Sequence, residues 1–183
     1  MSKDIPNFDR PSIIEAWRAK NSQVAQVVRD LSPTVWAHRE ADRWSIAGQV
    51  EHLFLSANPV SSALKFPRGM LEARFGRYSG EPPQYDRLYT RYREALAGLN
   101  ADFINPIPPS PEAKSQAELL ESWALVGQKI PQRLMEWSES ERDEYVLHHP
   151  MQGKLRVRGM LFFTLFHTDH HRRSIEQIIA QNA

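Results

Sequence analysis

The chain has 183 residues, 41% of them hydrophobic, with 23 Lys and Arg against 22 Asp and Glu for a formal net charge of +1. That length can bury a real core within one domain, and the even charge lacks the basic excess usual in nucleic-acid binders. No cysteine is present, which excludes disulfides, a catalytic thiolate and thiolate metal ligands. Any metal site must therefore use His, Asp or Glu. The lack of cysteine also fits a cytoplasmic protein. Residues 1–6 contain no apolar leader segment, and the longest dense apolar run, residues 160–166, is too short for a membrane span. A soluble cytoplasmic chain is expected, forming one domain over residues 1–183 and binding neither membrane nor nucleic acid.

The first element is a helix over residues 11–31, where Ile14, Trp17, Val24, Val28 and Leu31 recur at helical spacing. Ser12 and Glu15 have the spacing of a capping box near its start. A connector over residues 31–43 follows. Ser45 then reads as the N-cap of a second helix, residues 46–66, with a kink or break at Pro59. Residues 67–113 hold Gly76, Gly80, two prolines at 82–83 and a proline-rich run at 105–111. They read as an irregular insertion with one short helix at 84–99. Residues 65–93 are rich in Arg and Lys, a bias that suits either an anionic substrate or a solvated surface.

A third bundle helix is expected from Ser115, with Glu118 closing a capping box. Leu119, Trp123, Val126, Ile130, Leu134 and Trp137 form its apolar stripe, and Pro131 is a second expected kink. The acidic residues 139–144 read as an exit loop, and residues 145–154 as a loop or short extended piece. The last helix covers residues 157–180. Four long helices with little strand signal predict an all-α four-helix bundle carrying the insertion.

Chemistry concentrates in the histidines. His167 and His171 are four apart on the last helix, so they sit one turn above the other. At about 100° per residue they share a stripe with Met160, Phe163, Ser174 and Ile178, in the middle of the core-facing side. Two imidazoles buried there need partners. A metal ion supplies them, although carboxylates or backbone carbonyls could satisfy the same pair. His52 lies mid-helix beside small residues, Gly48, Ser56, Pro59 and Ala63, that could leave room for a cavity. A third imidazole from that helix would complete a three-ligand shell with open positions, the arrangement of a catalytic site.

Trp44-Ser45 with Glu51-His52-Leu53, then His149-Pro150 with Gly153-Lys154-Leu155, then His167-Thr-Asp-His-His171-Arg172 with Gln177-Ile178 resembles the DinB/YfiT-like metalloenzyme family. The similarity runs from about residue 11 to residue 177. It implies a four-helix bundle with a divalent metal at one end of the core, carried onto His52, His167 and His171, and it implies homodimers. Relatives include S-transferases and an isomerase that use low-molecular-weight thiols. The central insertion and Pro59 are not associated with the family's core.

A metal on three neutral imidazoles would favour an anionic or thiol group on a small-molecule substrate. Hydrolysis and thiol transfer are both open. Nitrogen donors suit zinc or nickel, and iron as well. His170, Glu51 and His149, in that order, are the candidate acid–base residues. The alternative is a dimeric bundle that binds metal or a small molecule without turnover. Phe162, Leu165 and Phe166 form a second apolar side of the last helix, which must pack on the insertion or on a second subunit.

Overall fold

The computed structural model describes residues 8–39, 43–99 and 103–182; the leaderless start read at residues 1–6 lies outside them. The elements in chain order are α1 (Arg10–Val28), α2 (Pro33–Ala37), α3 (Ile46–Ala63), α4 (Arg68–Phe75), α5 (Tyr85–Ala97), α6 (Gln116–Leu134), α7 (Glu139–Glu144), β1 (Val146–His149), β2 (Gly153–Arg156) and α8 (Val157–Gln181). The four long helices α1, α3, α6 and α8 make the bundle. Both α1 and α3 pack against both α6 and α8. The pairs α1/α3 and α6/α8 therefore lie across the diagonals, while α3 and α6 are neighbours, and the order around the bundle is α1, α6, α3, α8.

Local chemistry explains most boundaries. Ser45 caps α3 through the amide of Gly48 at 3.1 Å, and Ser115 caps α6 through the amide of Glu118. The Glu118 carboxylate accepts the Ser115 hydroxyl at 2.7 Å and does not reach back to the cap's amide. At α1 the expected Ser12/Glu15 box gives way to Asp9, whose carboxylate accepts the Ser12 amide at 2.9 Å. Residues 139–144 are a helix where a loop was expected, because Ser138 and Glu141 close a full capping box and acidic residues favour a helix N-terminus. Residues 146–156 form an antiparallel hairpin that pairs His149 with Gly153. Gly153 has φ +69°, a conformation that side chains with a Cβ resist. Both α3 and α6 run without a break through Pro59 and Pro131, although each proline leaves the carbonyl four residues earlier without its ladder bond.

The core is dominated by tryptophans whose polar edges are satisfied. Trp17 and Trp123 meet edge to face, ring centroids 5.5 Å apart. Their indole N–H groups donate to Gly127 O and Asn21 O, each at 3.0 Å. Gly127 lets α1 and α6 approach at this point, since a Cβ there would collide with the Asn21 side chain. Trp137 is fully buried and donates to Leu64 O.

The insertion contains two helices, not one. Helix α5 lays Tyr85, Tyr89 and Tyr92 on Phe162 and Phe166, so the second apolar side of α8 is covered from within the chain. Part of the insertion's positive charge is matched by the acidic stretch: Arg68 donates to Glu141 at 2.9 Å and Arg77 pairs with Glu144. Among the described residues no helix is long and apolar enough to cross a membrane. Replacing Trp123 by Ala, which removes a fully buried ring, is expected to cost about 3–5 kcal/mol. On the exposed face of the same helix, Leu125→Ala is expected to stay within about 0.5 kcal/mol. Urea denaturation of both variants checks the pair.

Candidate metal centre

Helices α3 and α8 pack face to face and bring His52 against His167 and His171. All three side chains are buried. His167 Nε2 lies 3.1 Å from His52 Nε2 and 3.0 Å from His171 Nε2, and one ring nitrogen from each residue falls within a 4.8 Å cluster. His167 and His171 meet because they are one helical turn apart. His52 joins them from the facing helix.

The far sides of two rings decide which nitrogens carry protons. His52 Nδ1 sits 2.7 Å from the backbone oxygen of Ile107, which only accepts, so Nδ1 donates and Nε2 presents a lone pair. His171 Nδ1 contacts Oε1 of Gln49, whose amide nitrogen is directed at Ser174 Oγ; that imidazole is fixed in the same sense. His167 Nε2 therefore faces two bare nitrogens and can hold one proton at most. At least one of the two contacts sets lone pair against lone pair inside the core. Protonation is an expensive remedy, because burial holds His167 and His171 well below the ordinary imidazole value of 6.5, with repulsion from neighbouring histidines adding to it. Burial also lowers His52, against the opposing hydrogen bond to Ile107.

A divalent cation fits this donor set. Three nitrogens each about 2.0–2.1 Å from a tetrahedral zinc stand about 3.3 Å from one another, within a few tenths of the 3.1 and 3.0 Å that separate His167 Nε2 from its two neighbours. Carbonyl and amide oxygens behind ligating imidazoles are the usual orienting partners of such sites. Aromatic rings hold the imidazoles in plane: Trp44 stacks on His171 at 6.1 Å and 12°, and Phe163 on His167 at 5.2 Å and 24°.

Glu51, next to His52, turns away from this centre. Its carboxylate accepts the amide and hydroxyl of Ser110 at 2.8 and 2.7 Å and pairs with Lys114 at 2.6 Å. Burial raises this carboxyl, but Lys114 and Ser110 outweigh burial and hold it below its ordinary value. Glu51 thus clamps the segment that carries the Ile107 carbonyl. Gly48 serves the same docking, with Pro109 Cγ 3.3 Å from where its Cβ would be, and does not open the cavity as its size suggested.

A cavity of about 410 Å³ opens on the three histidines, and His149, His170, Tyr92 and Ser56 are on its wall. His149 Nδ1 accepts the amides of Met151 and Gln152 at 3.1 and 3.0 Å. Its proton therefore resides on Nε2, and burial, with His148 adding repulsion, pushes the residue down to about 4. His170 is exposed on the cavity rim, its ring 5.0 Å from that of His171. Asp169 points away from the cavity to Lys20 on α1, at 3.4 Å. Gln49, Tyr92 and the Ile107 carbonyl were not foreseen. Gln49 is three residues before His52, so its place on the same helix face was readable. The other two reach the site from the insertion.

The DinB superfamily model matches residues 16–175, a span that includes all three histidines, and the chain belongs to that superfamily. Its fold is similar to that of YfiT from Bacillus subtilis, described as a probable metal-dependent hydrolase with an unusual four-helix bundle topology. The TM-score is 0.60 at 12% identity, covering 99% of this chain and 91% of that one. No curated protein sequence matches.

The buried neutral histidines make the metal-free protein acid-sensitive. Their folded pKa values are depressed, so their contribution is complete above 6.5 and is lost as pH falls through the folded values, about 4 for His149. The urea midpoint of metal-free protein is expected to be flat from about pH 8 to 7 and to fall steadily from about pH 6.5 to 4. The lowered carboxylates Glu51 and Glu139, ordinarily near 4.5, add to the loss only at the acid end of that range.

Proposed function

We propose that this chain is a divalent-metal-dependent enzyme, of the hydrolase or low-molecular-weight-thiol S-transferase type, in which His52, His167 and His171 hold the ion. The observation that carries this reading is the convergence of three Nε2 atoms, two of them deprived of protons by the oxygens behind them, at the wall of an open cavity. An ion held there supplies Lewis-acid polarisation and eases deprotonation of a water or thiol nucleophile. Nitrogen donors suit zinc or nickel first, and iron also.

The chain's own groups divide the remaining work. Three neutral ligands leave the ion's charge uncompensated, which draws an anionic or thiol group of a small substrate into the cavity. His149, whose proton is on Nε2, lines the cavity; it donates to a substrate oxygen and does not act as a base. His170 on the rim moves protons between the cavity and water. Glu51 acts through the loop it clamps. A metal that only stapled the bundle would not need a cavity beside its ligands, and this favours catalysis over the non-catalytic alternative. The bundle and insertion work as one domain in the cytoplasm, and the homodimer now rests on the family resemblance alone, since the aromatic face of α8 is covered by α5.

Untagged protein is expected to contain about one metal per chain by elemental analysis, and His167→Ala to contain none while keeping its helical circular dichroism. Wild-type protein that stays metal-free after reconstitution with zinc and with nickel at neutral pH would refute the reading. Glu51→Ala is expected to retain the fold but bind metal about 10–100-fold more weakly, measured by competition with a chromogenic chelator, because the Ile107 carbonyl loses its support.

A further inference from the structure

A second chamber of about 330 Å³ also reaches His167. It adjoins the first cavity, sharing Ser56, His149 and His167 with it. Its walls differ in kind. Leu53, Val60, Phe75, Leu147 and Met160 line it, with half-exposed Phe66 at the rim. Its two threonines are spent on their own helix: Thr164 and Thr168 each donate to the carbonyl four residues earlier, both at 2.8 Å. Arg74 is the one Lys or Arg on its wall. It is exposed, has no carboxylate partner among the described residues, and leaves its guanidinium 5.3 Å from the Phe75 ring centroid. Neighbouring Arg68 and Arg77, by contrast, are paired with Glu141 and Glu144.

From these observations we propose that the second chamber is a subsite for the apolar body of an anionic amphiphile. A carboxylate binds Arg74 at the mouth, an aliphatic or aryl chain fills the interior, and the far end of the molecule lies beside His167. The volume corresponds to on the order of ten non-hydrogen atoms at about 30 Å³ each. A mainly apolar chamber with Arg74 as the one Lys or Arg on its wall selects for that division of chemistry, and continuity with the histidine cluster makes the occupant a substrate of that centre. The inference deepens the proposed function and rests on it for the fate of the ligand, not for its binding.

The test uses metal-free full-length protein and saturated carboxylates from hexanoate to decanoate, titrated by calorimetry. Affinity is expected to rise about fourfold per added methylene, the equivalent of about 0.8 kcal/mol each, until the chamber is full. Ala63→Trp, which fills the chamber from a half-buried position near the end of α3, is expected to weaken decanoate at least about tenfold. Arg74→Gln, an exposed change that leaves the fold alone, is expected to abolish the preference for decanoate over decanol. Affinity independent of chain length, or unchanged decanoate binding in a folded Ala63→Trp protein, overturns the chamber. An unchanged preference in Arg74→Gln overturns the carboxylate anchor. Because no metal is present, decanoate binding by a protein that never takes up zinc or nickel would separate a failure of the metal reading from a failure of this one.

Discussion

Three buried imidazole nitrogens pointing at one another beside a cavity are an electrostatic conflict, and much of this structure maintains it. Left free, each ring could rotate or change tautomer to find a hydrogen bond. Gln49 and the Ile107 carbonyl block that escape by claiming the opposite nitrogens, and Trp44 and Phe163 block rotation by stacking. Burial discourages protonation. What remains is a point in the bundle where positive charge is favoured, on the wall of an open cavity. A site preorganised in this way holds a cation without spending binding energy on rearranging its ligands.

The insertion looks peripheral in the sequence, yet it builds half of this site. Helix α5 supplies Tyr92 to the cavity wall and covers the aromatic side of α8. The segment ahead of α6 supplies Ile107, and it is held down by Glu51, the residue beside a histidine of the cluster. One turn of α3 therefore faces two ways: His52 inward to the centre and Glu51 outward to the loop that orients His52. The diagonal order of the long helices matters here as well. It places α3 against α8, so the first and last parts of the chain converge on the site, with the insertion entering from between them.

The sequence made the long helices and the three histidines legible because both depend on periodicity. An apolar stripe at helical spacing can be read without knowing its partner, and so can a pair of imidazoles one turn apart. Other features depend on geometry that has no residue signature. Asp9 displaced Ser12 as the first cap because the choice turns on where the chain bends, and residues 139–144 carried a capping box one residue outside the window that was read as loop. The prolines were read as kinks or breaks, and neither breaks its helix. Gln49 was readable but overlooked, being neither charged nor a metal ligand. Ile107 was unreadable, since its contribution is a main-chain oxygen.

That last feature separates the identity of the centre from the shape of its pocket. Any amino acid at position 107 presents the same backbone acceptor, proline included. The side chain there lines both cavities, so it is free to vary with the ligand while the group that sets the His52 tautomer stays constant. Substrate preference in such a scaffold can drift through the loop without retuning the donor set, so bundles with the same three histidines can diverge in what they accept.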